Sequence, residues 1–266
     1  IITCPAQPVK EFVFTERCKL FIMEGRNRTE VRNKMPYSFS YYDSIVWIVI
    51  AAVLGMIAQG AVKSTFNRYS REAASAGITA AQAAQTLLQR AGIYDVTITR
   101  VSGNLTDHYA PKEKVLRLSD SVYDSTSIAA LGVAAHETGH AMQHAQGYAP
   151  LEIRNSIVPL VNFGSSLSMP LLLVGLFLNS YYLALGGVVL YGFAVAFQLI
   201  TLPVEINASR RALRALTDSG LLVGDEPAKA KKVLKAAAST YLAAALAALA
   251  QLLRLHAIVG RKDNRR

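Results

Sequence analysis

The most constraining feature of this chain is a run of fifty residues, 155–204, without a single charged side chain. About 20 apolar residues suffice for one helix to cross a bilayer, so this run fits two spans. We expect transmembrane helices at about 157–178 and 182–204, joined by a turn at 179–181. Because the run also contains prolines, glycines and polar residues, these helices should pack against each other or line a polar cavity.

Two further apolar stretches are candidates for membrane spans. Residues 45–62 are long enough to cross, and Lys63, Arg68 and Arg71 follow at once, as cations do on the cytoplasmic flank of a span. Residues 236–253 are alanine-rich and weakly hydrophobic, so they either cross or pack against the other helices. Overall, 52% of the residues are hydrophobic and 17% are charged, which is apolar for a soluble protein. The sequence therefore predicts three to four transmembrane helices.

The net charge of +10 suits a membrane surface better than a nucleic acid. The cations lie mostly between apolar runs, where they can face anionic lipid headgroups, and no basic stripe interleaved with aromatic residues is present. Positive-inside counting places 63–71 and 210–235 on the same, cytoplasmic face. With four full spans the basic tail 261–266 would end on the other face, a conflict that disappears if either the first or the fourth stretch does not cross.

The first 34 residues differ from the rest. They show neither a sustained apolar period nor a signal-peptide pattern, and they contain both cysteines, Cys4 and Cys18, which have no metal-ligand spacing. We expect 1–34 to be an appendage and 35–266 to form one membrane-embedded domain.

An HExxH motif lies in a predicted apolar helix at about 127–145, which Ser127 can cap. On a helix His136 and His140 share one face, so both imidazoles can bind one zinc ion while Glu137 points at a water on that metal. Such polar side chains would be costly on an apolar helix unless a metal or a hydrogen-bond network used them. The motif predicts a catalytic zinc site.

A catalytic zinc site has three protein ligands and one open position, so a third ligand is required. Glu205 is the best candidate, because it is the first charged residue after the uncharged run and two predicted crossings return it to the side of His140. The alternative is an ordinary carboxylate at the membrane interface. His144 is a rival on the face of the two motif histidines, but in a straight helix it lies about 12 Å along the axis from the first, too far for a tetrahedral site. We assign His144 to the surroundings of the metal or to solvent.

A small β-hairpin or sheet should precede the HExxH helix. Thr79 and Gln82 predict a capping box for a helix at 79–90, and alternating residues predict strands at 94–101 and 115–118. Residues 115–119 are either an edge strand that aligns an extended peptide or part of a plain structural hairpin. The predicted fold is therefore mainly α: a membrane-anchored, zincin-like metallopeptidase with a small hairpin or sheet beside the HExxH helix.

Several segments together resemble the YugP-type neutral zinc metallopeptidases, a family of bacterial membrane proteins. The resemblance covers about 37–255 and rests on segments 63–69, 105–109, 129–144, 201–205 and 208–212. It implies a multi-pass zinc peptidase of the bacterial cell membrane. A looser similarity links the Glu205 segment to gluzincin membrane proteases, which have an aspartate four residues after the ligand glutamate. Here Ser209 occupies that place and can hydrogen-bond a ligand histidine without supplying a charge.

The resulting hypothesis is a zinc endopeptidase that cleaves a peptide or a membrane protein. One Zn²⁺ bound by the histidine pair and Glu205 would activate a water, and Glu137 would act as the general base. By residue type alone, His108, Tyr109 and Arg210 are candidates for stabilising the oxyanion, and the alternative for each of them is an ordinary surface role.

Two other classes of protein share some of these sequence features. One is a non-catalytic membrane scaffold or chaperone-like protein with a zinc site, but a structural site is closed by four ligands and no cysteine lies beyond residue 34. The other is a transporter, which requires more spans and intramembrane charges than the sequence shows.

Overall fold

The computed structural model describes residues 41–263, with side chains described for 45–260; the predicted appendage at 1–34 lies outside them. The described part of the chain forms six helices and a three-stranded sheet. In chain order these are α1 (Tyr41–Tyr69), α2 (Ala80–Arg90), β1 (Thr97–Val101), β2 (His108–Ala110), β3 (Val115–Ser119), α3 (Ile128–Ala145), α4 (Ala149–Phe177), α5 (Tyr181–Asp218) and α6 (Glu226–Asp263). The predicted fold, mainly α with a small sheet, is confirmed.

Four helices, α1, α4, α5 and α6, are long and apolar enough to cross a membrane by length and composition. The stretches expected to span at 45–62 and 182–204 fall inside α1 and α5, the one at 157–178 ends one residue beyond α4, and the alanine-rich stretch at 236–253 belongs to α6. This helix packs against α1 and α5, while α4 packs mainly against α5.

Small residues allow α4 and α5 to approach closely. A Cβ atom on Gly175 would lie 2.2 Å from the backbone nitrogen of Ala184, and one on Gly187 would lie 2.7 Å from the carbonyl oxygen of Ser168. Any side chain at either position would force the two backbones apart. The chain runs away from α3 along α4 and returns along α5 to the level of α3.

Helix α3 is almost entirely enclosed. It packs against α2, α5, α6 and the sheet, and its residues from 128 to 141 are all buried. Its N-terminus is capped as predicted, because the Ser127 side chain accepts a hydrogen bond from the backbone N–H of Ala130 at 3.2 Å. The predicted capping box of α2, formed by Thr79 and Gln82, is also present. An apolar helix with no solvated face forms the centre of the core.

The sheet has the order β1-β3-β2, which corrects the strand prediction. β1 pairs with β3 in parallel and β2 pairs with β3 antiparallel. Val115–Ser119 is therefore the central strand and not an edge, and it forms no hairpin with β1. The sequence interpretation missed His108–Ala110, because three residues are too few to show the alternation of a strand. The edge strand that contacts α3 is β2.

Candidate metal centre

Helices α3 and α5 cross where Gly139, inside the HExxH motif, meets the backbone of Ala208. A Cβ atom on Gly139 would lie 2.6 Å from the carbonyl oxygen of Ala208, so the crossing depends on the missing side chain. This close approach brings Glu205, one turn before Ala208, up to the histidine face of α3. The packing of the two helices thus assembles the site.

Three potential ligand atoms, from His136, His140 and Glu205, lie within 4.8 Å of one another. Glu205 Oε2 is 3.2 Å from Nε2 of His136 and 3.5 Å from Nε2 of His140. The exposed fractions of the three residues are 4%, 5% and 1%. Two imidazoles and one carboxylate are the ligand set of many catalytic zinc sites, in which a fourth position stays open. The structure places Glu205 where a third ligand is needed.

The Nδ1 atom of each of the two histidines has a hydrogen-bond partner of its own. His136 Nδ1 lies 3.1 Å from Ser209 Oγ, and His140 Nδ1 lies 3.0 Å from Gln143 Oε1. The amide of Gln143 is oriented because its nitrogen donates to Val204 O at 2.9 Å, so its oxygen accepts the N–H of His140. With its proton on Nδ1, His140 turns the lone pair of Nε2 toward Glu205. Such partners fix the tautomer and orientation of metal-binding histidines.

Several buried polar atoms at this point have no hydrogen-bond partner within the described residues. They are both carboxylate oxygens of Glu137, Nε2 of His140 and Oε1 of Glu205. Unpartnered groups of this kind are costly in a protein interior, and a cluster of them calls for a specific explanation. A divalent cation held by the three ligand side chains would satisfy His140 and Glu205. The residues therefore fit a zinc ion.

The environment changes how these groups bind protons. Burial lowers the pKa of His136 to about 4, so this imidazole is neutral at pH 7, as a metal ligand must be. Burial raises the pKa of Glu137 to about 8, because a charged carboxylate is poorly solvated there. Burial alone would lower the pKa of His140, but the neighbouring carboxylate of Glu205 outweighs it and raises the pKa.

A cavity of about 510 Å³ reaches Glu137 and His140 from outside. One wall comes from β2 and the segment that follows, another from the first turns of α4. The lining residues that matter for function are His108, Tyr109, His144, Arg117, Leu151 and Arg154.

Three of the residues predicted to surround the metal lie in this cavity. The Tyr109 hydroxyl is 2.9 Å from His144 Nδ1, and His108 Nδ1 is 2.9 Å from the carbonyl oxygen of Thr106. His144 thus contacts Tyr109 and is not among the three convergent ligands. Arg210 is exposed on α5 and does not line the cavity, so the structure does not bring this oxyanion candidate to the site.

Two residues of the site escaped the sequence interpretation. Gln143 follows His140 by three residues on the same buried helix, a spacing that brings side chains together, and this could have identified it. Arg154 is 8% exposed, and its Nη1 lies 3.6 Å from Glu205 Oε1. The sequence feature that could have identified Arg154 is its position as the last charged residue before the uncharged run at 155–204.

Comparison with known proteins agrees with this geometry. Residues 44–260 match the model of a family described as "Putative neutral zinc metallopeptidase". The chain is also 47% identical over 222 residues to "Putative membrane protease YugP" of Bacillus subtilis (strain 168), covering 82% of this chain and 99% of that protein. No solved structure was found to match the chain. The family predicted from the sequence motifs is confirmed: the chain belongs to the putative neutral zinc metallopeptidases and is a membrane protein.

Proposed function

We propose that this protein is a zinc-dependent endopeptidase of the bacterial cell membrane, with one Zn²⁺ held by His136, His140 and Glu205. The observation that carries the proposal is the position of Glu137. Its carboxylate is fully buried, has no hydrogen-bond partner among the residues described, and lies beside the three ligand side chains at the inner end of an open cavity. The positive charge of a zinc ion bound beside Glu137 would oppose the effect of burial and favour the ionised carboxylate, which is suited to accept a proton from a water that attacks a bound peptide.

The chain's own residues account for the remaining steps of hydrolysis. A zinc ion bound here would supply Lewis-acid chemistry, making the attacking water more acidic and the peptide carbonyl more electrophilic. Glu137 takes one proton from that water on a carboxylate oxygen while the water oxygen bonds to the carbonyl carbon. Glu137 then gives the proton to the leaving nitrogen as the C–N bond breaks, so the carboxylate is regenerated.

The edge strand β2 suits the binding of an extended peptide. β2 pairs with β3 on one side only among the described strands, and His108, Tyr109 and Ala110 line the cavity. An extended segment added along such an edge is bound through backbone hydrogen bonds, which tolerate variation in side chains. The opposite wall includes apolar Leu151, Val158 and Pro159 of α4. We therefore propose peptides and membrane proteins as substrates, and no nucleic-acid partner.

We propose a multi-pass protein with its catalytic side in the cytoplasm. The segment just after α1 and the start of α6 are joined by an ion pair, with Lys229 Nζ 2.8 Å from Glu72 Oε2. The backbone N–H of Ile128, where α3 begins, donates to the carbonyl oxygen of Glu72 at 2.9 Å. The basic segment at the end of α1 and the one at the start of α6 therefore lie on the face from which α3 starts. By the positive-inside rule that face is cytoplasmic.

The open cavity also favours an enzyme over the alternative of a non-catalytic scaffold or chaperone-like protein. A structural zinc site is closed by four protein ligands, whereas the group here offers three beside a cavity of substrate size.

The proposal is tested with the Glu137→Gln variant. We expect the purified, detergent-solubilised variant to contain as much zinc as the wild type, measured by mass spectrometry, and to cleave a mixture of fluorescence-quenched peptides at least 1,000-fold more slowly. Glu152→Gln removes an exposed carboxylate of α4 and serves as the matched control, with unchanged cleavage. Full activity of Glu137→Gln would refute the assignment of the base.

Natural substrates can be found with the same pair of proteins. Membrane fractions from cells that produce either the wild type or Glu137→Gln are compared by quantitative mass spectrometry of new protein termini. Termini that depend on Glu137 identify both the substrates and the bonds that are cut.

A further inference from the structure

One charged residue of the cavity has no part in the steps described above. Arg154 lies on the second turn of α4, is 8% exposed, and lines the cavity together with Glu137 and His140. A buried guanidinium is costly unless its N–H groups are paired. Its Nη1 lies 3.6 Å from Glu205 Oε1, beyond hydrogen-bond distance, and its Nε has no partner in the described part of the chain. Glu205 alone thus leaves donors of Arg154 unused.

Three other polar side chains that line the cavity, Tyr109, Arg117 and His108, have partners among the described residues. The Tyr109 hydroxyl contacts His144 at 2.9 Å, and Arg117 Nη2 donates to Glu113 Oε2 at 2.5 Å. His108 has partners at both ring nitrogens, the second being Arg117 Nη1 at 3.4 Å. Lys112 also lines the cavity but is exposed, whereas Arg154 is buried and its Nε has no partner among the described residues. Arg154 is therefore the buried cation of the lining that has a donor available.

The chemistry requires a donor at this place. When water attacks a peptide carbonyl, negative charge develops on the carbonyl oxygen, and a fixed donor in a water-poor site stabilises that charge far more than it stabilises the neutral substrate. A guanidinium remains charged at any physiological pH and presents several N–H donors in one plane. Its ion pair with Glu205 restrains the group before substrate binds.

We propose that Arg154 is a catalytic residue that donates an N–H hydrogen bond to the oxygen of the scissile carbonyl and stabilises the negative charge that forms there. This inference rests on the proposed peptidase function. It assigns to α4, the helix that also enters the membrane, a direct part in the reaction.

The experiment compares the wild type with Arg154→Gln and Arg154→Lys in detergent. Three quantities are measured: zinc affinity by competition with a chromogenic chelator, kcat and KM on the best-cleaved quenched peptide, and affinity for a phosphinic peptide of the same sequence. In the phosphinic peptide a tetrahedral phosphorus with anionic oxygens replaces the scissile carbonyl, so its affinity reports on the transition state. Arg214→Gln removes an exposed cation of α5, outside the cavity, and is the control.

For Arg154→Gln we expect kcat to fall about 100- to 1,000-fold, as for loss of an oxyanion donor, with KM and zinc affinity changed by less than about threefold. Affinity of Arg154→Gln for the phosphinic peptide should fall by a similar factor. Arg154→Lys keeps the positive charge, so both its kcat and its affinity for the phosphinic peptide should lie between those of Arg154→Gln and the wild type. The inference is overturned if Arg154→Gln has the kcat of the wild type. It is also overturned if Arg154→Gln loses zinc, because Arg154 would then act by positioning Glu205. If the zinc-loaded wild type neither cleaves peptides nor binds the phosphinic peptide, the proposed function itself is wrong.

Discussion

Gly139 and Ala208 form the contact on which the metal centre depends, because the backbone of α5 occupies the space where a side chain of residue 139 would lie. The two helices meet between the histidine pair and Glu205. The distance from Glu205 to the imidazoles is therefore set by a packing contact.

We expect Gly139→Ala to push α5 away from α3. The added methyl group must displace the carbonyl of Ala208, at a cost of about 1–3 kcal/mol in the free energy of unfolding, and zinc affinity should fall at least tenfold. Thermal unfolding and chelator competition measure the two effects. Gly132→Ala is the matched control on the same helix, because its Cβ would meet Ala230 Cβ at an ordinary 3.7 Å. Equal losses of stability and zinc affinity in Gly139→Ala and Gly132→Ala would show that the crossing of α3 and α5 at Gly139 does not set the metal centre.

Removing the Gln143 side chain should weaken zinc binding without removing a ligand. Gln143→Ala leaves His140 Nδ1 without its acceptor, so the imidazole loses its fixed orientation and tautomer. We expect zinc affinity to fall about 10- to 100-fold, measured by chelator competition. Gln85→Ala, at an exposed position of α2, should leave affinity unchanged. Wild-type affinity in Gln143→Ala would mean that packing alone holds the ring.

The third ligand is identified by comparing Glu205→Ala with His144→Ala. Loss of Glu205 removes one of three convergent donors, so the purified variant should retain little zinc after dialysis against a mild chelator. His144→Ala loses only the contact with Tyr109 and should keep the metal. Zinc retained by Glu205→Ala and lost from His144→Ala would reverse the assignment.

Asp107 should make stability depend on pH. Its carboxyl group is buried, and burial raises its pKa although Ser119 donates two hydrogen bonds to it. Because the pKa is higher in the folded state, the carboxyl group contributes most to stability when it is protonated, and this contribution is lost as pH rises through the folded-state pKa. The melting temperature of Asp107→Asn relative to the wild type should therefore rise between pH 4 and 7.

The control for this prediction is Asp218→Asn, which changes an exposed carboxylate at the end of α5. Its melting temperature should follow that of the wild type at every pH. A difference between Asp107→Asn and wild type that stays constant over the same range would show that Asp107 does not titrate with folding.

The parts of the structure that local patterns determine could be predicted. The HExxH helix with its Ser127 cap and three of the long apolar helices follow from helical periodicity, capping residues and length, all of which act over a few turns. The position of Glu205 near the histidine pair could be predicted because two long apolar helices, α4 and α5, lead the chain away from α3 and back.

The parts of the structure that depend on contacts between distant residues could not be predicted from the sequence. Strand order is set by pairing across the sheet, so nothing within residues 115–119 shows that they form the central strand. The burial of Arg154 results from the docking of α4 beside Glu205, and the sequence around it is that of an ordinary interfacial cation.

The length of α5 has one more consequence. The 38 residues from Tyr181 to Asp218 form one unbroken helix, which carries Glu205 and also an apolar stretch long enough to cross a membrane. Enzymes whose anchor is a separate segment can be clipped from the membrane and remain active. In the described part of the chain the apolar stretch and Glu205 share this one helix, so if the proposed function is right, we expect proteolysis that removes the apolar stretch of α5 to remove Glu205 as well and to yield a fragment that no longer binds zinc.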